Sequence, residues 1–190
     1  MKRWGILFAA MLVPCVATAS PAPYKALGGL SGENLLMSLP KGFKLGAQSN
    51  QGRFNQFEYI AQTDTVQDWS VMITLTIIQG QVPRTPDQMS QTIADGFQRI
   101  CAHGEGHKLS DGVTNGYAYT EWMVTCDLNP QTNKPEFLVM RTSQAANAFY
   151  NVQYAFRAAP TDEFIKQARD YLQSTSICDN RIPEQACKKP

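Results

Sequence analysis

The sequence predicts an α+β domain: a single antiparallel sheet of about six to seven strands with two helices packed on it, in the order strands, helix, strands, helix. Three observations carry this. Apolar residues recur with period two through residues 34–79, and that pattern gives way to a capped amphipathic stripe after Thr85. The same succession then repeats, with three strand-like segments over 116–158 and a second amphipathic stripe from Thr161 onward.

In the first strand group, Leu35, Met37 and Leu39 share one face of "NLLMSLP", and the turn "PKG" leads into a short strand at 43–45. Residues 53–62 alternate again through Phe57, Tyr59 and Ala61. The firmest strand is 69–79, "WSVMITLTIIQ", whose β-branched density argues against a helix. Its odd positions are apolar, whereas its even ones are mostly serine and threonine. A sheet covered on one side and partly solvated on the other has this pattern.

The first helix has a written start. Thr85 caps it, Pro86 suits its first turn, and Gln88 completes a capping box with Thr85. Met89, Ile93, Phe97 and Ile100 form its apolar stripe, and Gly104 is expected to end it in a left-handed conformation. Gly96 inside it marks either close packing on the sheet or a tolerated weak point. The three later strands, at 116–128, 136–142 and 148–158, are joined by "NPQTNKP" and "SQAAN" and make a hairpin meander. The second helix opens with Thr161 as cap and Asp162 and Glu163 in its first turn, then runs Phe164, Ile165, Ala168 and Leu172 along one side.

Residues 1–19 read as a signal peptide: Lys2 and Arg3, an uncharged run to Val13, then Ala17, Thr18 and Ala19 before the cut. The run is too short for the roughly 20 apolar residues of a membrane span, so no transmembrane segment is expected after cleavage. Pro14 directly before Cys15 lacks the small residue that lipid attachment prefers. Residues 20–33, rich in Pro and Gly, form an extended leader; 34–177 form one α+β domain; 178–190 form a tail closed by a disulfide. Removing Lys2 and Arg3 from the 17 basic residues leaves 15 against 16 acidic ones, a formal charge of −1. No basic run longer than Lys188–Lys189 remains, which argues against a nucleic-acid partner.

The four remaining cysteines, Cys101, Cys126, Cys178 and Cys187, suit two disulfides in an exported chain. Of the three pairings, the local one is expected: Cys101 with Cys126, and Cys178 with Cys187.

The only two histidines stand in "CAHGEGHKLS", residues 101–110. His103 and His107 have a helical metal-ligand spacing, with Glu105 between them and Cys101 nearby. Against that reading, Gly104 and Gly106 are expected to end the helix and open a loop before His107, and an oxidised Cys101 offers no thiolate. No nucleophile elbow occurs. Paired carboxylates from Glu58, Glu121 and Glu136 remain available for acid–base chemistry, with Glu121 also readable as a charge on a solvated sheet face. No cofactor is implied.

If Trp122, Val124 and Cys126 face the helices, then Tyr117, Tyr119, Glu121 and Met123 lie opposite. If Val152, Tyr154 and Phe156 also face the core, Phe149, Asn151, Gln153 and Arg157 join that opposite face. Tyr117, Tyr119, Glu121, Phe149, Gln153 and Arg157 would then form a recognition surface of aromatic, amide and arginine character. The alternative is that a loop or the 20–33 leader covers it.

The segment "MSLPKGFKL", Trp69 opening the strand through "ITLTI", the capped helix after Pro86 and the final amphipathic helix together resemble the fold shared by Mog1 and PsbP-like proteins. That resemblance implies a sheet with helices and a habit of binding other proteins, and it carries no functional residue across. The expectation is an exported, disulfide-stabilised, non-catalytic domain, periplasmic or secreted, that binds an unknown protein or small ligand. One alternative is a metal-dependent or hydrolytic enzyme centred on His103, Glu105 and His107. The other is an inhibitor of a secreted or envelope enzyme.

Overall fold

A computed structural model describes residues 25–27, 32–101 and 103–187. The expected signal peptide at 1–19, most of the 20–33 leader and the last three residues of the tail lie outside the described residues. Among the described residues, ten strands and two helices follow one another. Strands β1 (Lys25–Leu27), β2 (Glu33–Met37), β3 (Phe43–Gln51), β4 (Phe54–Ala61) and β5 (Val71–Gln79) come first, followed by helix α1 (Pro86–Ile100). Then come β6 (Gly104–Thr114), β7 (Tyr117–Asn129), β8 (Lys134–Gln144) and β9 (Ala148–Phe156). Helix α2 (Asp162–Ser174) and β10 (Ser176–Asp179) close the described chain, with a 3-10 turn at Pro183–Gln185.

The main sheet is seven-stranded in the order β3-β4-β5-β9-β8-β7-β6, antiparallel throughout. It consists of two meanders, β3 to β5 and β6 to β9, joined where β9 returns to pair with β5. The crossover through α1 carries the chain from β5 to the far edge. A second, three-stranded sheet, β1-β2-β10, gives the leader and the tail a structural part: β10 pairs with β2 at Cys178↔Asn34 and Asp179↔Glu33.

The two helices sit on opposite faces of the main sheet. Ala168 and Leu172 of α2 pack in one cluster with Ile73, Leu75 and Val139, and the small sheet adds Leu35, Met37 and Ile177 to that side. Ala94 of α1, with Ile93 and Phe97, packs against Trp122, Val124, Leu138 and Met140 on the other. Alternation along each strand makes this possible, because odd residues of β7 and β8 and even residues of β9 point toward α2 while their neighbours point toward α1. The helix starts follow the sequence. Thr85 Oγ1 accepts from Gln88 N–H at 3.2 Å, Gln88 Oε1 accepts from Thr85 N–H at 3.0 Å, and Thr161 Oγ1 accepts from Phe164 N–H.

Two expectations at the end of α1 need correction. The cap is Cys101, at φ −85°, whose N–H donates to Phe97 O; Gly104 is not left-handed and opens β6. The stretch after it is an eleven-residue edge strand, not a loop. The glycines serve contact between layers. A Cβ on Gly106 would stand 2.7 Å from Ala94 Cβ, and one on Gly104 would stand 3.1 Å from Gln98 Cα. Their missing side chains let α1 sit close over β6. Gly96 meets nothing but Arg99 Nη2 at 3.9 Å, so it is the tolerated weak point.

Both disulfides form as expected. Cys101–Cys126 ties the end of α1 to β7, and Cys178–Cys187 ties β10 to the tail. Among the described residues, no helix is long and apolar enough to cross a membrane.

Candidate functional site

Helix α1 contacts β6, β7 and β8 and stops short of the rest of its face. The part beyond α1, on β4, β5 and β9, is organised by the strand registers into rows across the sheet, in which Ile60, Met72, Thr74, Phe149 and Asn151 are buried and the rest half-buried. Phe54, Ile78 and Phe149 make an apolar row at one end; Gln56, Thr76 and Asn151 follow; then Glu58, Thr74 and Gln153; and Ile60, Met72 and Ala155 close the other end. Two polar rows therefore lie between two apolar ones, with rows about 6.6 Å apart along the strands. Met89, Ile93 and Phe97 of α1 form a wall beside them. The resulting groove holds two neighbouring cavities of about 210 and 270 Å³ whose linings share Gln56, Thr76 and Gln153.

The buried residues of α1 are Pro86, Ser90 and Ala94; Met89, Ile93 and Phe97 of the expected stripe stay half-buried and line the groove, and Ile100 at its end is exposed. The polar rows are ordered by their own hydrogen bonds. Gln153 Nε2 donates to Asn151 Oδ1 at 2.8 Å, Asn151 Nδ2 to Thr142 Oγ1 at 2.8 Å, and Thr142 shares a 2.7 Å bond with Ser90 Oγ of α1. Gln56 Nε2 donates to Glu58 Oε1 at 2.7 Å. No cationic side chain stands within 4 Å of the Glu58 carboxylate among the described residues.

The apolar end at Ala155 is bounded by a clamp. Arg157 stacks on the Trp69 ring at 4.2 Å, donates from Nε to Glu136 Oε1 at 3.0 Å and from Nη1 to Gln67 O at 3.1 Å. Its side chain is 5% exposed. Glu136 is used up within the clamp, since Oε2 accepts from Asn129 Nδ2 at 2.9 Å and Oε1 also accepts from Thr132 Oγ1. Arg157 therefore fixes the 62–70 loop at the groove's end and does not present its guanidinium to a ligand.

The six residues expected to form one recognition surface are divided between the two faces. Phe149 and Gln153 line the groove, and Arg157 bounds it. Tyr117, Tyr119 and Glu121 lie on the α2 side, where Tyr117 is part of the core cluster and Glu121 is 1% exposed. The expectation that Glu121 is a solvated charge is corrected. Its Oε1 accepts from Arg141 Nε and Nη2 at 3.1 and 2.7 Å, and Oε2 accepts from Ser110 Oγ at 3.0 Å and Arg169 Nη2 at 3.4 Å. Tyr119 lies under the Arg141 guanidinium, 4.2 Å away. With one helix on each face, the side opposite α1 cannot stay open. The groove wall of α1 and the threonines of β5 were the sequence signals for the open region. What the sequence lacked was how far α1 reaches across the sheet.

Residues His103, Glu105 and His107 are exposed, the first just before β6 and the others along it. Extended backbone separates positions four apart by roughly 13 Å, about twice the helical spacing that would pair two imidazoles. Among the described residues no three His, Cys, Asp or Glu side chains are grouped to hold a metal ion, and Cys101 is a disulfide partner.

The architecture defines a class first: an antiparallel sheet with a helix on each face and the Mog1/PsbP-like order of elements. Among particular solved structures, the chain is similar to the Saccharomyces cerevisiae Ran-binding protein Mog1p at 9% identity, covering 77% of this chain and 92% of that one with a TM-score of 0.52. It is similar to the cyanobacterial PsbP (CyanoP) of Synechocystis sp. PCC 6803 at 10% identity, covering 87% and 98% with a TM-score of 0.51. A point mutant of the protein Mog1 matches at 10% identity over 84% and 98%, with a TM-score of 0.51. At this level the likeness establishes the fold alone. No protein-family model matches the sequence, and no curated protein is significantly similar to it.

Proposed function

We propose that this protein is an exported, disulfide-stabilised, non-catalytic domain that binds a partner in the groove between α1 and the β4-β5-β9 face. The observation that carries the reading is the row pattern: apolar ends for affinity, polar rows for orientation, and one carboxylate with no cationic neighbour among the described residues. Binding sites share this composition of mainly apolar lining with a few placed polar groups. Two disulfides support export, because thiols stay reduced in the cytoplasm, and the charge order of residues 1–19 supports the same route. The yeast neighbour is by its name a Ran-binding protein, so this fold is compatible with protein recognition; no residue is transferred from it.

A photo-crosslinking amino acid at Gln153 tests the site in the native envelope, with the same group at Glu105 as control. An adduct at Gln153 that excess unmodified protein competes away, with none at Glu105, supports the groove. Equal labelling at both positions, or none at Gln153, refutes it.

A further inference from the structure

Resting on that reading, we infer that the groove's ligand is an extended peptide segment of about six or seven residues, apolar at both ends and carrying a lysine or arginine between. The length follows from the rows. From the Ile78 row to the Met72 row is six residues of β5, about 20 Å at 3.3 Å per residue. An extended chain laid along the strands covers that distance with a similar number of residues. The α1 wall from Met89 to Phe97 is about 12 Å long at 1.5 Å per residue, so it flanks the middle of such a segment.

The polarity of the floor separates a peptide from a hydrocarbon chain. Burying amide and hydroxyl groups under an alkyl chain strips them of water and returns no hydrogen bond. A peptide backbone returns them. Gln56 and Gln153 each make one hydrogen bond, through Nε2, and their remaining donors and acceptors, like the hydroxyls of Thr74 and Thr76, find no partner among the described residues. These four side chains occupy the two middle rows, where a peptide's own N–H and C=O groups pass. The half-buried Phe54 and Ile78 at one end and Ala155 at the other, backed by the buried Phe149 and Met72, then receive the side chains at its two ends.

Charge sets the middle of the segment. The groove contains the carboxylates of Glu58 and Glu136, and Glu136 is already paired with Arg157. Glu58, half-buried in the second polar row, has among the described residues only the amide of Gln56 as a side-chain partner. A cationic side chain from the ligand completes it, and an acidic one is repelled.

The test is selection from a phage-displayed library of random dodecapeptides against the folded, disulfide-intact mature chain, followed by titration of the enriched peptides as labelled synthetic copies. Enriched sequences should combine apolar residues with a lysine or arginine. Their affinity should fall at least tenfold in Thr76→Arg, which fills the floor from a half-exposed position, and in Ile93→Asp. Glu58→Gln should weaken them about five- to tenfold and flatten the salt dependence, while Glu105→Gln should change nothing. Near-ultraviolet circular dichroism checks each variant's fold; if Ile93→Asp is misfolded, Thr76→Arg and Glu58→Gln decide. Enrichment of acidic peptides, or of peptides indifferent to Thr76→Arg, overturns the proposal. If dodecylamine binds in a Thr76→Arg-sensitive way and no peptide does, the groove remains a binding site and the peptide assignment fails. If neither probe is sensitive to Thr76→Arg, and Gln153 gives no crosslink, both readings fail.

Discussion

The buried pair Glu121–Arg141 offers the sharpest test of the packing, and Arg141→Met is the perturbation. Glu121 is 1% exposed and Arg141 6%. Both hydrogen bonds to Oε1 come from Arg141, so its removal strands that oxygen in a water-poor layer between the sheet and α2. Breaking a buried pair by removing one partner costs about 3–5 kcal/mol. Oε2 keeps Ser110 and Arg169, the latter 38% exposed at its side chain, which places the cost at the lower end, about 3 kcal/mol. For a domain of this size that corresponds to a fall in Tm of roughly 6–12 °C.

Replacing both partners with apolar residues removes the stranded charge, so Glu121→Leu with Arg141→Met should unfold within about 1 kcal/mol of the parent. Urea unfolding followed by circular dichroism, with both disulfides intact, measures the four corners of the double-mutant cycle. A loss below about 1 kcal/mol in Arg141→Met, or a double variant as weak as the two single losses added together, refutes this account of the α2 layer.

The two glycines of different kind give opposite outcomes in the same assay. Gly106→Ala drives a Cβ to 2.7 Å from Ala94 and should lose roughly 1–3 kcal/mol, whereas Gly96→Ala meets open space and should gain up to about 1 kcal/mol. Removing the Cys101–Cys126 bridge with paired alanines should lower stability by about 3 kcal/mol for its separation of 25 residues, and non-reducing peptide mapping should recover that pair. Burial raises the hydroxyl pKa of Tyr59, Tyr117, Tyr150, Tyr154 and Tyr171 above the ordinary 10.0. Their contribution is therefore complete below pH 10 and is lost as pH rises through the folded values, because only the unfolded chain releases these protons readily. Absorbance titration at alkaline pH should show these tyrosines ionising together with loss of tertiary circular dichroism; five freely titrating tyrosines in a folded protein would contradict the burial.

Where the sequence was readable, the information was local. The capping box at Thr85 and Gln88 is contained in four residues, and the alternation of β5 shows directly which side chains share a face. The cysteine pairing was readable because each partner lies near its mate along the chain. Gly104 and Gly106 were misread for the opposite reason. A glycine that breaks structure and a glycine that admits a helix look alike until Ala94, a dozen residues away, is known to lie above. Glu121 shows the same limit. Its burial depends on Arg141 in β8 and Arg169 in α2, and neither spacing follows any periodicity. The mixed surface expected from Tyr117 to Arg157 had the right alternation on each strand, but it assumed that both helices share one face.

The placement of one helix on each face also decides where a ligand can go. The α2 face is closed by a helix and a second sheet, while the α1 face has a single fifteen-residue helix for seven strands. A helix is about 10 Å wide and strands are about 4.8 Å apart, so α1 covers two or three of them. The glycines of β6 and the Cys101–Cys126 bridge hold it over β6, β7 and β8, at the edge, which leaves β4, β5 and β9 with no helix directly above them among the described residues. An uncovered face of purely apolar residues would invite non-specific association. Here the middle rows hold the half-buried Gln56, Glu58, Thr76 and Gln153 beside the buried Thr74 and Asn151, with apolar side chains at the ends and along the helix wall. The half-buried side chains of the groove can stay wetted, yet they still offer a partner an apolar gain at two places and directed hydrogen bonds between them. The same placement of α1 that closes half of this face therefore creates the groove in the other half, and a substitution that moves the helix inward should occlude the site without touching any residue that lines its floor.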